Sequence, residues 1–174
     1  MLLKEVLSNV AEFHTAFRIP NADAPHATLT HDEVMLRHRL MAEENDEYLE
    51  AAVNGDVVEV ADALGDQLYI LAGTMMRHGM QDVIAKVFRE IQASNMSKLG
   101  RNGEPILRED GKVMKGPDYF RPNIAGILED DRRAREMAKD TNARIEKLAW
   151  SVSNESVPDR LAHSVLEEAM ASTV

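Results

Sequence analysis

At 174 residues and 19.4 kDa, the chain has room for one main domain with a core and a small appendage. A net charge of -10 argues against a general nucleic-acid-binding role, which needs a basic face, and the absence of cysteine excludes disulfides, thiolate zinc sites and cysteine nucleophiles. The first residues, MLLKEVLSNVAEF, carry Lys4 and Glu5 and no long apolar run, so neither a signal peptide nor a membrane span is expected, and a cytoplasmic protein is the simplest reading.

Leu2, Leu3, Val6, Val10, Phe13 and Phe17 recur at helical spacing and predict a first amphipathic helix from Leu3 to Phe17. Pro20 and Pro25 mark the following stretch as a loop. His14, His26 and His31 lie in or near it without a metal-ligand spacing, and they are expected at the surface. Thr30 followed by Glu33 is a capping box, which starts a second helix from His31 to about Val53. Its inner face is expected at Val34, Leu40, Met41, Tyr48 and Ala52 or their neighbours. Asn54-Gly55 stops that helix, and Asp56 can cap a third, from Val57 to about His78. So short a turn makes the two helices antiparallel. Val83, Ile84, Val87, Phe88 and Ile91 form the apolar stripe of a fourth helix ending near Lys98.

After Gly100 the chain turns rich in Gly and Pro, and Asp110-Gly111 suggests a small hairpin pairing Ile106 to Arg108 with Lys112 to Met114. Lys98, Arg101, Arg108, Lys112, Lys115 and Arg121 make this region basic. From Glu129 onward the sequence is highly charged and helical with a weak apolar stripe. Pro158, Leu161, Val165, Leu166 and Met170 then suggest a last short helix. This tail reads as an oligomerisation or packing appendage. The expected division is a domain of residues 1–128 and a helical extension of residues 129–174.

Between Met41 and Met76 stand nine acidic residues and no Lys, Arg or His. Glu43, Glu44 and Glu47 share one helical face, and Glu59, Asp62 and Asp66 form one stripe on the next helix. Val57, Val58, Val60, Ala61, Ala63, Leu64, Leu68, Ile70, Leu71 and Ala72 make that helix apolar over most of its circumference, so its acids are expected to face the interior. Like charges at this spacing repel, and a buried unpaired carboxylate costs several kcal/mol. A hard divalent cation is the natural occupant of such a seam. Mg²⁺ keeps open positions for substrate phosphates, which points to a polyphosphate substrate, with the basic loop holding its outer phosphates. The chain lacks the Glu-x-x-His of di-iron bundles, an EF-hand loop, a P-loop, a Gly-x-Gly-x-x-Gly turn and a Gly-x-Ser-x-Gly elbow. Phe17, Tyr48 and Tyr69 can stack on a nucleobase or simply pack in the core.

Glu43-Glu44-x-x-Glu47 followed by Glu59-x-x-Asp62 resembles the signature of the all-α nucleoside triphosphate pyrophosphohydrolases, the MazG-like superfamily. RLMAEENDEYLEAA, VEVADALGDQLYILAGT, EIQASNMSKLG and REDGKVMKGPDYFRPNI are similar to blocks of its phosphoribosyl-ATP pyrophosphohydrolase-like branch, over roughly His14 to Leu128. The resemblance implies an all-α, four-helix bundle core with a basic loop or hairpin and a C-terminal helical appendage. It implies Mg²⁺-dependent hydrolysis, with Mn²⁺ as a substitute, between the α- and β-phosphates of a nucleoside triphosphate. Glu44, Glu47, Glu59 and Asp62 match the metal ligands, and Glu43 matches a further ligand or the base that orients water. Asn95, Lys98, Lys112 and Lys115 look like substrate contacts. Relatives are similar in forming homodimers or homotetramers. A non-catalytic nucleotide or metal sensor, or a helical scaffold with solvent-facing acids, is the alternative, and the preferred base stays open.

Overall fold

The computed structural model describes residues 3–154, which form five α-helices and no strand longer than an isolated bridge. The expected short helix after Pro158 lies outside the described residues. Helix α1 (Leu3–Ala16) ends in a Schellman turn, with Ile19 N–H donating to His14 O at 2.7 Å and Arg18 N–H to Thr15 O at 3.2 Å. Arg18 takes the left-handed position of that turn, with φ 58°.

Helix α2 (His31–Asn54) starts at the predicted capping box. Thr30 Oγ1 accepts from Glu33 N–H while the Glu33 carboxylate accepts from Thr30 N–H. Gly55 closes α2 at φ 71°, and Asp56 opens α3 (Val57–Arg77) by accepting from the N–H groups of Val58 and Glu59 at 3.0 and 3.2 Å. Contacts of Glu44 with Gln67 and of Glu33 with Arg77 show that α2 and α3 run antiparallel from that turn. Helix α1 lies against α3, where Leu7, Val10, Ala72 and Met76 form the core and Val6, Ala11, Met75 and Ile84 flank it.

The segment from Phe17 to Thr30 is a strap. Ala22 N–H donates to Met76 O, His26 N–H to His78 O, and Gln81 Nε2 to Ala22 O. Helix α4 (Ile84–Met96) leads into the basic loop, whose hairpin forms as expected. Leu107 bridges Val113, Arg108 N–H donates to Lys112 O, and Met114 N–H donates to Ile106 O. Ser94 on α4 and Ser97 just past its end fix the far end of the loop through the backbone of Phe120. Helix α5 (Ile124–Asn154) starts five residues before the charged stretch that suggested it. The chain divides into two compact units, residues 1–128 and 129–174, and α5 contributes to both. Within the second, Arg132 and Arg133 pair with Glu129 along the helix, which holds the Glu129 carboxyl down at about 2.

Three expectations need correction. His14 is not at the surface but 2% exposed, because α1 turns it inward between α2 and α3. Of the inner face expected on α2, Leu40 and Met41 are covered, but Val34, Tyr48 and Ala52 are exposed, and Glu33, Arg37, Glu44 and Ala51 complete the covered face instead. Helix α3 is not enclosed, since only parts of its circumference meet α1 and α2, and Val57, Val58, Leu64 and Leu68 remain exposed.

Candidate active site: the carboxylates of the α2–α3 hairpin

The hairpin sets the acids opposite each other because its two helices share a register fixed at three levels. Toward the turn, Ala51 of α2 and Ala63 of α3 are both buried. At mid-length, Gln67 Nε2 donates to the backbone carbonyl of Glu44 at 3.2 Å. Farther along, the Arg77 guanidinium binds the Glu33 carboxylate. Glu44 therefore lies beside the α3 stripe that carries Asp62 and Asp66.

The electrostatics of Glu44 report the crowding directly. Its carboxyl titrates above the ordinary carboxylate range, first because burial removes water from it, then because Glu47, Asp66, Asp62 and Glu43 add negative charge around it. Its Oε2 atom is buried without a hydrogen-bond partner. Among the described residues, no salt bridge reaches Glu43, Glu44, Glu47, Glu59, Asp62 or Asp66. Glu43, Glu47, Glu59 and Asp62 are exposed, so the seam is an open groove rather than the closed interior expected of it.

Glu59 sits one turn before Asp62 on the same stripe, at the capped start of α3. Among the described residues, no three His, Asp or Glu side chains converge closely enough to grip one ion. The donor set is nevertheless all oxygen, and the orphaned Glu44 Oε2 has chemistry that fits a hard divalent cation. Asp66 lies outside the signature motif, yet its charge also presses on Glu44. Its i,i+4 spacing from Asp62 was the available signal.

The expected substrate contacts lie elsewhere in the same unit. Lys98 Nζ donates to Asn95 Oδ1 at 2.7 Å at the end of α4. Lys115 Nζ stands 4.5 Å from the Tyr119 ring centroid, and Lys112 lies on the hairpin, with its N–H bound to Asp110. Phe13 meets Phe17 at 4.3 Å and Tyr69 edge-to-face at 5.6 Å, while Tyr48 is exposed.

Residues 10–95, which contain the whole hairpin, match the family model described as phosphoribosyl-ATP pyrophosphohydrolase. Among solved structures, a candidate NTP pyrophosphohydrolase from Exiguobacterium sp. 255-15 is 28% identical, with a TM-score of 0.40, over 78% of this chain and 97% of that one. No curated protein matches the chain.

Proposed function

We propose the function of this chain from the premise that its residues 10–95 belong to the phosphoribosyl-ATP pyrophosphohydrolase family, and the chain with them to the all-α nucleoside triphosphate pyrophosphohydrolases. It is an enzyme that hydrolyses a pyrophosphate linkage of a nucleotide. The finer reading is a Mg²⁺-dependent cleavage between the α- and β-phosphates of a nucleoside triphosphate, releasing a nucleoside monophosphate and pyrophosphate as nucleotide-pool housekeeping. The observation that carries it is Glu44, whose buried, unpartnered oxygen lies among four further carboxylates that no salt bridge among the described residues neutralises.

In this reading Glu44, Glu47, Glu59 and Asp62 hold the metal, with Asp66 beside them. Magnesium bound there, or manganese in its place, supplies charge neutralisation to phosphate oxygens and acidifies water. Glu43 serves as a further ligand or orients the attacking water and takes its proton as the α–β anhydride bond breaks. Asn95, Lys98, Lys112 and Lys115 receive phosphates. The enzyme works in the cytoplasm as a homodimer or homotetramer, whose second copy covers the exposed apolar flank of α3.

The test is incubation with a panel of nucleoside triphosphates and phosphoribosyl-ATP in Mg²⁺, with monophosphate and pyrophosphate as the readout. Turnover that vanishes with chelator is expected, and Asp62→Asn should remove most of it while leaving the metal-free protein as stable as before or more so. A panel in which nothing yields pyrophosphate would leave a nucleotide- or metal-binding protein instead.

A further inference from the structure

Seven residues before Glu44 on the same face of α2, and so about 10 Å along the helix, lies a second polar cluster that the carboxylate chemistry does not use. It comprises Glu33 and Arg37 of α2, Gly73 and Arg77 of α3, and His14 of α1. Asp66 and Gly73 are likewise seven residues apart, so the groove between α2 and α3 passes from carboxylates to guanidiniums without changing face.

The charges there do not balance. Glu33 is fully committed: one oxygen takes Arg77, and the other accepts from the N–H and hydroxyl of Thr30 at 3.0 and 2.9 Å. Arg77, 9% exposed, is satisfied by Glu33 and the Pro20 carbonyl. His14 Nδ1 is matched by Asn21 Oδ1 at 2.5 Å. Arg37 is left over. It is half-buried, it makes no hydrogen bond or ion pair among the described residues, and the charges that act on it are the like-charged Arg77 and the already occupied Glu33. Burial, then Arg77, pulls its guanidinium below the ordinary range, yet an arginine stays charged. The cluster thus holds two guanidiniums against one carboxylate.

The bare backbone of Gly73 lets the His14 ring and the Arg37 guanidinium both pack against α3 at this level. A methyl group added there would lie 3.0 Å from His14 Nε2 and 3.4 Å from Arg37 Nη1. A planar fork of donors, partly stripped of water and seven residues from Glu44 on the same face of α2, is complementary to a doubly charged oxyanion.

We infer that Arg37 is a specificity residue of the active site, which takes two oxygens of a phosphate group of the substrate that lies away from the carboxylates. This rests on the nucleotide reading above. The phosphate comes either from the far end of the triphosphate chain or from a second phosphate carried elsewhere on the nucleotide, as in phosphoribosyl-ATP.

The experiment compares wild type, Arg37→Met and Arg37→Lys in Mg²⁺, by calorimetric binding of inorganic pyrophosphate and by KM and kcat for ATP and for phosphoribosyl-ATP. Loss of one charge-assisted, two-pronged contact predicts a weakening of about tenfold to a hundredfold in Arg37→Met, with Arg37→Lys between it and wild type. A fall in pyrophosphate affinity and a rise in KM for both nucleotides assign the chain's far phosphate. A rise in KM for phosphoribosyl-ATP alone assigns the second phosphate. Metal-free Arg37→Met should melt at or above the wild-type temperature, since an unpaired cation beside Arg77 is removed. A lower melting temperature with unchanged affinities would make Arg37 a packing residue and overturn the inference, as would unchanged affinity and KM for every phosphate probe. A wild type that binds pyrophosphate through Arg37 but turns over no nucleotide would overturn the enzymatic reading and leave this contact standing.

Discussion

Glu44 joins local chemistry to a measurable property of the whole chain. Its carboxyl is raised in the folded state, so folding favours the protonated form. The stability this contributes is present below the ordinary glutamate range and is lost as pH rises through the raised value. Melting temperatures of the metal-free protein between pH 4 and 8 should therefore fall more steeply with pH in wild type than in Glu44→Gln, and parallel curves would contradict the crowding described here. Glu33, lowered by its bonds to Thr30 and Arg77, acts in the opposite sense in both proteins and cancels in the comparison. At Gly73, alanine gains helix propensity but presses on His14, which Asn21 holds and which cannot retreat. Gly73→Ala should cost about 1 kcal/mol net, seen as a lower urea midpoint. That Glu43, Glu44 and Glu47 share one face of α2 and Glu59, Asp62 and Asp66 one stripe of α3 was legible, because helical spacing alone fixes it. His14 was not legible, since an imidazole at the end of an amphipathic helix reads the same whether the next helix covers it or not.

The helices were the most legible feature, because their ends are written in short chemical signals. Thr30 with Glu33 starts α2, and Gly55 with Asp56 divides it from α3, each through a backbone bond that only those side chains or that φ supply. Arg18 is the exception, an ordinary residue in the left-handed position that ends α1. That conformation costs a residue with a β-carbon about 1 kcal/mol, so Arg18→Gly should raise the unfolding free energy by roughly that amount, measured by denaturant titration. Periodicity placed Leu40 and Met41 correctly on α2 but missed the rest of its covered face, which is polar. Glu33, Arg37 and Glu44 occupy positions that a stability-only helix would give to leucine, and an apolar moment points elsewhere.

The molecule as a whole leaves unusual apolar area in water. Val53, Val57 and Val58 are 77%, 76% and 70% exposed around the α2–α3 turn, and Phe88 on α4 is 66% exposed. A sequence shows which face of a helix is greasy but not which neighbour covers it, so α3 read as enclosed when one chain encloses only part of it. With a second copy as the cover, sedimentation should report a dimer or larger, and Val58→Glu should shift it toward monomer. A monomeric wild type would refute that partner. The strap between Phe17 and Thr30 bears on a different handling of the molecule. It has no helix or strand, yet its backbone is tied to Met76, His78 and Gln81, whereas the loop from Arg101 to Lys115 is exposed throughout. Brief digestion of the native protein with trypsin should therefore nick the later loop while the Arg18–Ile19 bond survives, leaving the N-terminal fragment in one piece with its acidic hairpin.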